Sequence, residues 1–259
     1  MMTALFLVDG MRPDGMQRAA TPVMDQLVAS GAHTLSARTV MPSVTLPCLT
    51  SLFLGVPPAR HGITTNIWAP PARPVPGLMD VIQQAGKRAA SFYNWEPLRD
   101  LSQPGSLSAS FFLKNNHAPE GDGELADLAT RWVRSNRVDF IFVYLGYVDT
   151  AGHDHGWMSQ PYLSAIANAD RCIGKVMDAM PADATIIVMS DHGGHAQSHG
   201  TDGDEDTTIP FIIGGPRIPR AHAIRQQIQI TDIAPTVATL LGLNIPAAWM
   251  GTSIRELFP

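Results

Sequence analysis

A chain of 259 residues that is 45% hydrophobic and only 16% charged is long enough for a self-sufficient core and too apolar for intrinsic disorder. Its formal charge of −5, from 18 basic and 23 acidic residues, lacks the basic excess expected of a binder of duplex nucleic acid or of an anionic membrane. Two cysteines, Cys48 and Cys172, are too few for a disulfide framework or a cysteine-based zinc site.

Thr3–Val8 has the composition of a buried strand and runs straight into Asp9. No signal-peptide pattern precedes it and no apolar run approaches the ~20 residues of a membrane helix, so the expectation is a soluble cytoplasmic protein. Pro22–Ala29 follows as a helix, opened by Thr21 and Pro22 and stopped by Gly31. Leu46–Leu54 is the next helix, with Thr45 in the N-cap position and Pro47 in its first turn. Ala69–Pro76 holds four prolines in eight residues and is expected to be a flexible loop. Leu78–Ala85 predicts a helix ended by Gly86, and Ala89–Tyr93 a strand. Gln103–Gly123 has no clear period. Then come a helix over Glu124–Ser135, a strand over Asp139–Leu145 and a helix over Pro161–Met180 introduced by Ser159. Strands over Thr185–Met189 and Ile209–Ile213 precede a last helix, Thr231–Leu241, closed by Gly242. Alternation of apolar strands with helices implies an α/β fold, with a mostly parallel sheet covered on both faces. A single compact domain over 1–259, without a large cap insertion, is expected.

Three carboxylates stand just beyond strand-like runs: Asp9, Asp149 (after Ile141–Val148) and Asp191. In such sheets, ligands bind outside the carboxyl ends of the strands. Carboxylates converging there repel one another unless protonated or bound to a cation. Five of the nine histidines lie between His153 and His199, and His153, His192 and His199 accompany the acids. Mixed Asp/His donors suit zinc, and manganese or iron are also compatible. The plain alternative is a set of caps and exposed loop residues. Thr45 sits where helix amides favour a phosphate, yet an N-cap threonine is common, and its hydroxyl becomes a nucleophile only beside a base or metal.

The order Asp9-Gly10, Pro42-x-x-Thr45-x-Pro47, His61-Gly62-Ile63 with Asn66, Asp149-x-x-x-His153, Asp191-His192-Gly193 and His199-Gly200 resembles the alkaline phosphatase superfamily. Its type I phosphodiesterase/nucleotide pyrophosphatase branch is the best match, over Asp9 to about Pro216. The resemblance implies a three-layer αβα sandwich and two zinc ions. One would be held by Asp149, His153 and His199, the other by Asp9, Asp191, His192 and the Thr45 oxygen. It implies Thr45 as nucleophile, through a covalent phosphothreonine, and Asn66 as donor to a non-bridging phosphate oxygen. The expected substrate is a small-molecule phosphate ester, a diester or pyrophosphate first, with no membrane and no nucleic acid duplex as partner.

A phosphomonoesterase or a phosphonate hydrolase on the same site is the alternative within enzymes. A non-catalytic metal- or phosphate-binding domain is the alternative outside them. Thr45-Leu46-Pro47-Cys48-Leu49 lacks the arginine of the sulfatase motif, and the stretch between Asn66 and Asp149 is short for a mutase's second domain. His195 is weighed as a substrate contact or supporting partner against a loop histidine, and His155 as a non-ligand. Cys48 is expected to be packed rather than reactive, and Arg12 and Asp14 to form a surface pair. Asp202, Asp204, Glu205 and Asp206 are expected to form a solvated face rather than a third metal site. Trp68, Tyr93, Trp95 and Trp157 are expected to pack in or beside the core, with stacking on a substrate as the other possibility.

Overall fold

The computed structural model describes residues 2–70, 74–103 and 105–258. Eight strands form one sheet: β1 (Thr3–Val8), β2 (Ala32–Arg38), β3 (Ala89–Tyr93), β4 (Ala109–Phe112), β5 (Phe140–Leu145), β6 (Thr185–Met189), β7 (Thr208–Gly214) and β8 (His222–Ala223). Their order is β4-β3-β5-β1-β6-β7-β2-β8. All neighbours pair in parallel except β7, which runs antiparallel to both β6 and β2. Helices cover both faces, giving the expected three-layer αβα sandwich with a mostly parallel sheet.

The period of two along β1 divides the core. Leu5 and Leu7 face one cluster, which the helices Thr45–Leu54, Leu78–Gln84 and Ile233–Leu240 complete. Ala4, Phe6 and Val8 face the other, built with the helices Pro22–Ser30, Gly121–Ser135 and Gln160–Met177. All six residues of β1 are buried because both faces are covered, which is why Ala4–Val8 is an uninterrupted apolar run. The register pairs Val8 with Leu145 and Leu7 with Met189. The chain therefore leaves β1, β5 and β6 at one level, and Asp9, Gly146 and Asp191 emerge side by side.

Several expectations need correction. Thr45 is the first residue of its helix rather than the cap: Val44 holds the N-cap position with extended backbone. The apolar run Ile141–Val148 is not one strand. β5 stops at Leu145, and Asp149 lies on a separate helix, Tyr147–His155, which begins beyond Gly146. The last helix splits into a 3-10 turn, Ile230–Asp232, followed by Ile233–Leu240. Gln103–Gly123, without a period, contains β4 and the first turn of Gly121–Ser135. Of the proline-rich segment Ala69–Pro76, residues 71–73 lie outside the described ones, and its other residues take neither helix nor strand. Among the described residues no helix is long and apolar enough to cross a membrane.

Candidate active site

Asp9 and Asp191 reach the site directly from the ends of β1 and β6, while the short helix after β5 brings Asp149 and His153 one turn apart on the same face. His192 follows Asp191, and an irregular segment beyond it carries His199. Two overlapping groups result. Donor atoms of Asp149, His153 and His199 lie within 4.8 Å of one another, and so do those of Asp9, Asp149 and His192. His199 Nε2 is 3.6 Å and His153 Nε2 3.5 Å from the Asp149 carboxylate, and His192 Nε2 is 3.2 Å from Asp9 Oδ1. Asp191 Oδ2 stands 3.6 Å from the same His192 nitrogen. Asp149, assigned from sequence to one ion only, borders both groups.

Two observations test whether these residues suit a metal. First, Asp9 Oδ1, Asp149 Oδ1 and Asp191 Oδ2 are buried with no hydrogen-bond partner among the described residues, an arrangement a protein interior does not tolerate without compensation. Second, each imidazole faces a backbone carbonyl through Nδ1: His153 with Gln197 O at 2.9 Å, His192 with Gly193 O at 2.8 Å, His199 with Ser43 O at 2.9 Å. A carbonyl only accepts, so Nδ1 carries the proton and Nε2 offers its lone pair to the site. That is the tautomer of a metal-ligating histidine held from behind. The donor set fits a pair of divalent cations.

Charge accumulates accordingly. Burial, and then the neighbouring Asp9, push Asp149 up to about 7. The same two causes raise Asp191 well above the carboxylate range. Burial also opposes ionisation of Asp9, but His192, joined by hydrogen bonds from Tyr144 and Asp191, holds Asp9 low. Burial would keep His192 neutral, yet Asp191 and Asp9 lift it to about 10. Buried His199, beside His192, falls to about 3. A divalent cation reverses this logic by favouring every carboxylate in its ionised form and every imidazole as neutral.

The Thr45 hydroxyl is buried and lies 3.1 Å from His192 Nε2, pointing at the acidic group instead of capping its helix. Asn66 is exposed and its Oδ1 accepts from the Leu46 amide at 2.9 Å. With its carbonyl end engaged, the NH2 group is the end left to donate. Thr45 and Asn66 are thus joined through the first turn of one helix. His61 is a support rather than a ligand. It accepts from Ile63 N–H through Nδ1, so Nε2–H donates to Ser51 Oγ at 2.9 Å, and burial lowers it to about 4.

Gly10 permits the close approach of Asp9 and Asp149. It adopts φ +68°, and a Cβ there would stand 3.2 Å from Asp149 Cα and Oδ1. Trp157 is buried under the histidines. Its Nε1–H donates to Gly10 O at 2.9 Å, its ring meets His153 edge-on at 5.1 Å, and a Cβ on Gly194 would lie 2.2 Å from it. Tyr93 is buried and stacked on Phe112. Cys48 is fully buried, accepts from Thr39 Oγ1 at 3.0 Å, and burial pushes its thiol up, as expected of a packed cysteine. Arg12 is bidentate to Asp14 and also bonds Glu205 and the Gly194 carbonyl. In the acidic stretch Asp202, Asp204 and Glu205 are exposed, as a solvated face requires, and Asp206 departs from it. Asp204 pairs with Arg38, Glu205 with Arg12, and Asp206 is fully buried, facing His195.

Sequence reasoning did not single out three supports. The Tyr144 hydroxyl, from β5, donates to Asp9 Oδ2 and so leaves Oδ1 for the site. Buried Asn94 donates to Asp122 at 2.8 Å and accepts from Gly146 N–H at 3.2 Å. Asp122, also fully buried, faces the Tyr147 amide and so anchors the start of the helix that carries Asp149 and His153. Tyr144 and Asn94 show in the sequence only as polar groups amid apolar neighbours, and Asp122 is hidden among glycines and glutamates.

Burial raises Asp122 to about 6 from an ordinary value of 3.8. A raised carboxyl adds stability below its unfolded pKa, and that contribution is lost as pH climbs through about 6. The stability of the wild type relative to Asp122→Asn is therefore expected to fall by about 2–3 kcal/mol between pH 4 and pH 7. Denaturant unfolding of both proteins across that range measures it, and a constant difference would refute the perturbation.

The description "Type I phosphodiesterase / nucleotide pyrophosphatase" belongs to a family model that matches residues 3–205. Mouse ectonucleotide pyrophosphatase/phosphodiesterase family member 1 is 27% identical over 217 residues, covering 74% of this chain and 24% of that protein. A 2,3-bisphosphoglycerate-independent phosphoglycerate mutase of Gracilaria tenuistipitata var. liui is 31% identical over 140 residues, 51% of this chain and 27% of the relative. The chain thus spans about a quarter of the length of these curated relatives. Among solved structures, murine ectonucleotide pyrophosphatase/phosphodiesterase 5 superposes with a TM-score of 0.79 at 16% identity, covering 95% of this chain and 96% of the other. That likeness carries the fold.

Proposed function

The chain belongs to the type I phosphodiesterase/nucleotide pyrophosphatase family of the alkaline phosphatase superfamily, and from that premise we propose that it hydrolyses phosphate diesters or pyrophosphates with two zinc ions and Thr45 as nucleophile. The observation that carries the reading is the buried Thr45 hydroxyl at 3.1 Å from His192, beside carboxylate oxygens that have no hydrogen-bond partner among the described residues. Asp149, His153 and His199 would hold one ion. Asp9, Asp191, His192 and the Thr45 oxygen would hold the other, with Asp149 bordering both. Manganese or iron would suit the same donors. Bound there, the cations would supply Lewis acidity that lowers the pKa of the Thr45 hydroxyl and offsets negative charge on the phosphoryl oxygens.

The chain's own residues then do the following. Thr45 gives up its proton and Oγ1 bonds to phosphorus as the bond to the leaving oxygen breaks, and that oxygen gains a proton. Asn66, its carbonyl fixed by Leu46 N–H, turns its NH2 toward a non-bridging oxygen. Water then attacks phosphorus, the Oγ1–P bond breaks and Thr45 regains its proton. Catalysis of this kind is mostly positioning and charge.

Charge also supports the choice of ester. Two Zn²⁺ ions against Asp9, Asp149 and Asp191 leave about +1, which suits the single charge of a diester. Arg12, the basic residue nearest Asp9 in sequence, is held by Asp14, Glu205 and Gly194 and does not supply the clamp a dianionic monoester needs. The test is a comparison of kcat/KM on bis-p-nitrophenyl phosphate, p-nitrophenyl phosphate and a phenylphosphonate ester, with zinc content measured alongside. The diester or the phosphonate ester is expected to lead. A large preference for the monoester would overturn the diesterase assignment, and metal binding without turnover of any ester would favour a binding domain.

A further inference from the structure

We propose that Asp206 is a positioning residue of the metal centre, a clasp that sets His199 against the nucleophile turn. The inference rests on the two-metal reading above. His199 is borne by the segment 193–203, which has no helix or ladder of its own beyond one bridge between His195 and Ser198. A segment with so few internal bonds opens at low cost, yet a ligand imidazole must be held to within about half an ångström. Something outside the segment has to supply that precision.

Asp206 is fully buried and lies outside both metal-binding groups. Its carboxylate grips the segment on both sides of His199. Oδ1 faces His195 Nδ1 at 2.7 Å, and Oδ2 accepts from the Thr201 amide at 2.8 Å and from the Thr201 hydroxyl at 2.7 Å. Its backbone carbonyl accepts from Gly193 N–H at 2.8 Å, just beyond His192. Thr201 passes the constraint on: its carbonyl accepts from Ser43 Oγ at 2.7 Å, and the Ser43 carbonyl faces His199 Nδ1 at 2.9 Å. Ser43 lies two residues before Thr45. One carboxylate thus fixes the rotation of His199 and its distance from the nucleophile. Three donors converge on two oxygens, which demands an ionised, acceptor-only group. Asparagine keeps an oxygen for Thr201 but loses the charge, and its NH2 can meet His195 Nδ1 only if the imidazole moves its proton to Nε2.

The experiment is zinc titration of the full chain against a chromophoric chelator, for wild type, Asp206→Asn and Thr201→Val, with the Tm of each metal-free protein. The wild type is expected to bind two zinc ions. Asp206→Asn is expected to keep one at near wild-type affinity and to weaken the other about 10–100-fold, the usual consequence of losing support behind a ligand. Thr201→Val keeps side-chain shape and amide but loses one donor, so the same site weakens by less. Should Asp206→Asn fail to fold, Thr201→Val decides. Folded variants with two ions at unchanged affinity would overturn the clasp, as would equal weakening of both sites. A wild type that binds no zinc would overturn the metal reading itself.

Discussion

Thr45→Ala is expected to lose at least about a thousandfold in kcat/KM on any ester the wild type turns over, because removing the group that forms the covalent bond leaves only binding and electrostatic assistance. The fold gives reason to expect a clean result. Val44, not Thr45, is the N-cap, and Thr45 makes no capping bond, so its loss removes no helix support. The side chain is small, and its hydroxyl partner is His192. Metal-free Thr45→Ala should therefore unfold within a few degrees of the wild type. Its zinc content should remain near two per chain, since five other carboxylate and imidazole groups border the centre besides Asp191. Thr45→Ser restores a hydroxyl and should recover most of the loss. Quenching the wild type during turnover and mapping a phosphorylated peptide that contains residue 45 checks the covalent step independently. Full activity in Thr45→Ala would sink the nucleophile assignment whatever the metal content.

How much of this the sequence discloses depends on whether the signal is local. The central strands are legible because burial on both faces makes them continuous apolar runs, as in Phe140–Leu145. β2 hides because it is half exposed, reads Ala-His-Thr-Leu-Ser-Ala-Arg, and shifts register between Thr34 and Ala37. β4 is a four-residue edge strand, too short for any period to show. The helix Tyr147–His155 hides for the opposite reason. Its apolar start, Tyr147-Val148, continues the run of β5, and only Gly146 marks the break. The ligands are legible nonetheless, since carboxylates beyond strand ends and the four-residue spacing of Asp149 and His153 are local patterns. Their supports are not. Tyr144 meets Asp9 across 135 positions of chain, and Asn94 meets Asp122 across 28. Asp206 sits in a run of acids whose composition suggests a solvated face, and only folding separates the buried member from the others.

Asp149→Asn is expected to cost the protein both zinc ions, whereas His153→Ala is expected to cost one. The difference follows from position. Asp149 belongs to both groups of converging donors, while His153 belongs to one and is the more exposed ligand. His153→Ala leaves Asp149 and His199 on its side and the whole donor set on the other. Holo stability should register this. A ligand at a hundred times its Kd stabilises a fold by about 2.7 kcal/mol, so adding zinc at that level should raise the Tm of the wild type by several degrees for each site filled. Zinc should raise the Tm of His153→Ala by roughly half as much and leave that of Asp149→Asn unmoved. The metal-free proteins should rank the other way. Asp149 sits partly buried beside Asp9 and is pushed up to about 7, so above that pH its ionised form is a cost that asparagine lacks. Metal-free Asp149→Asn should thus be more stable than the metal-free wild type at pH 8, with part of that advantage gone at pH 6 as Asp149 takes up its proton and the rest lost toward pH 4. Thermal unfolding of the three proteins with EDTA and with zinc, at both pH values, reads all of these effects. One zinc ion retained by folded Asp149→Asn would show that the carboxylate is not shared and would return it to a single ion beside His153 and His199, and two retained would show that neither ion depends on it.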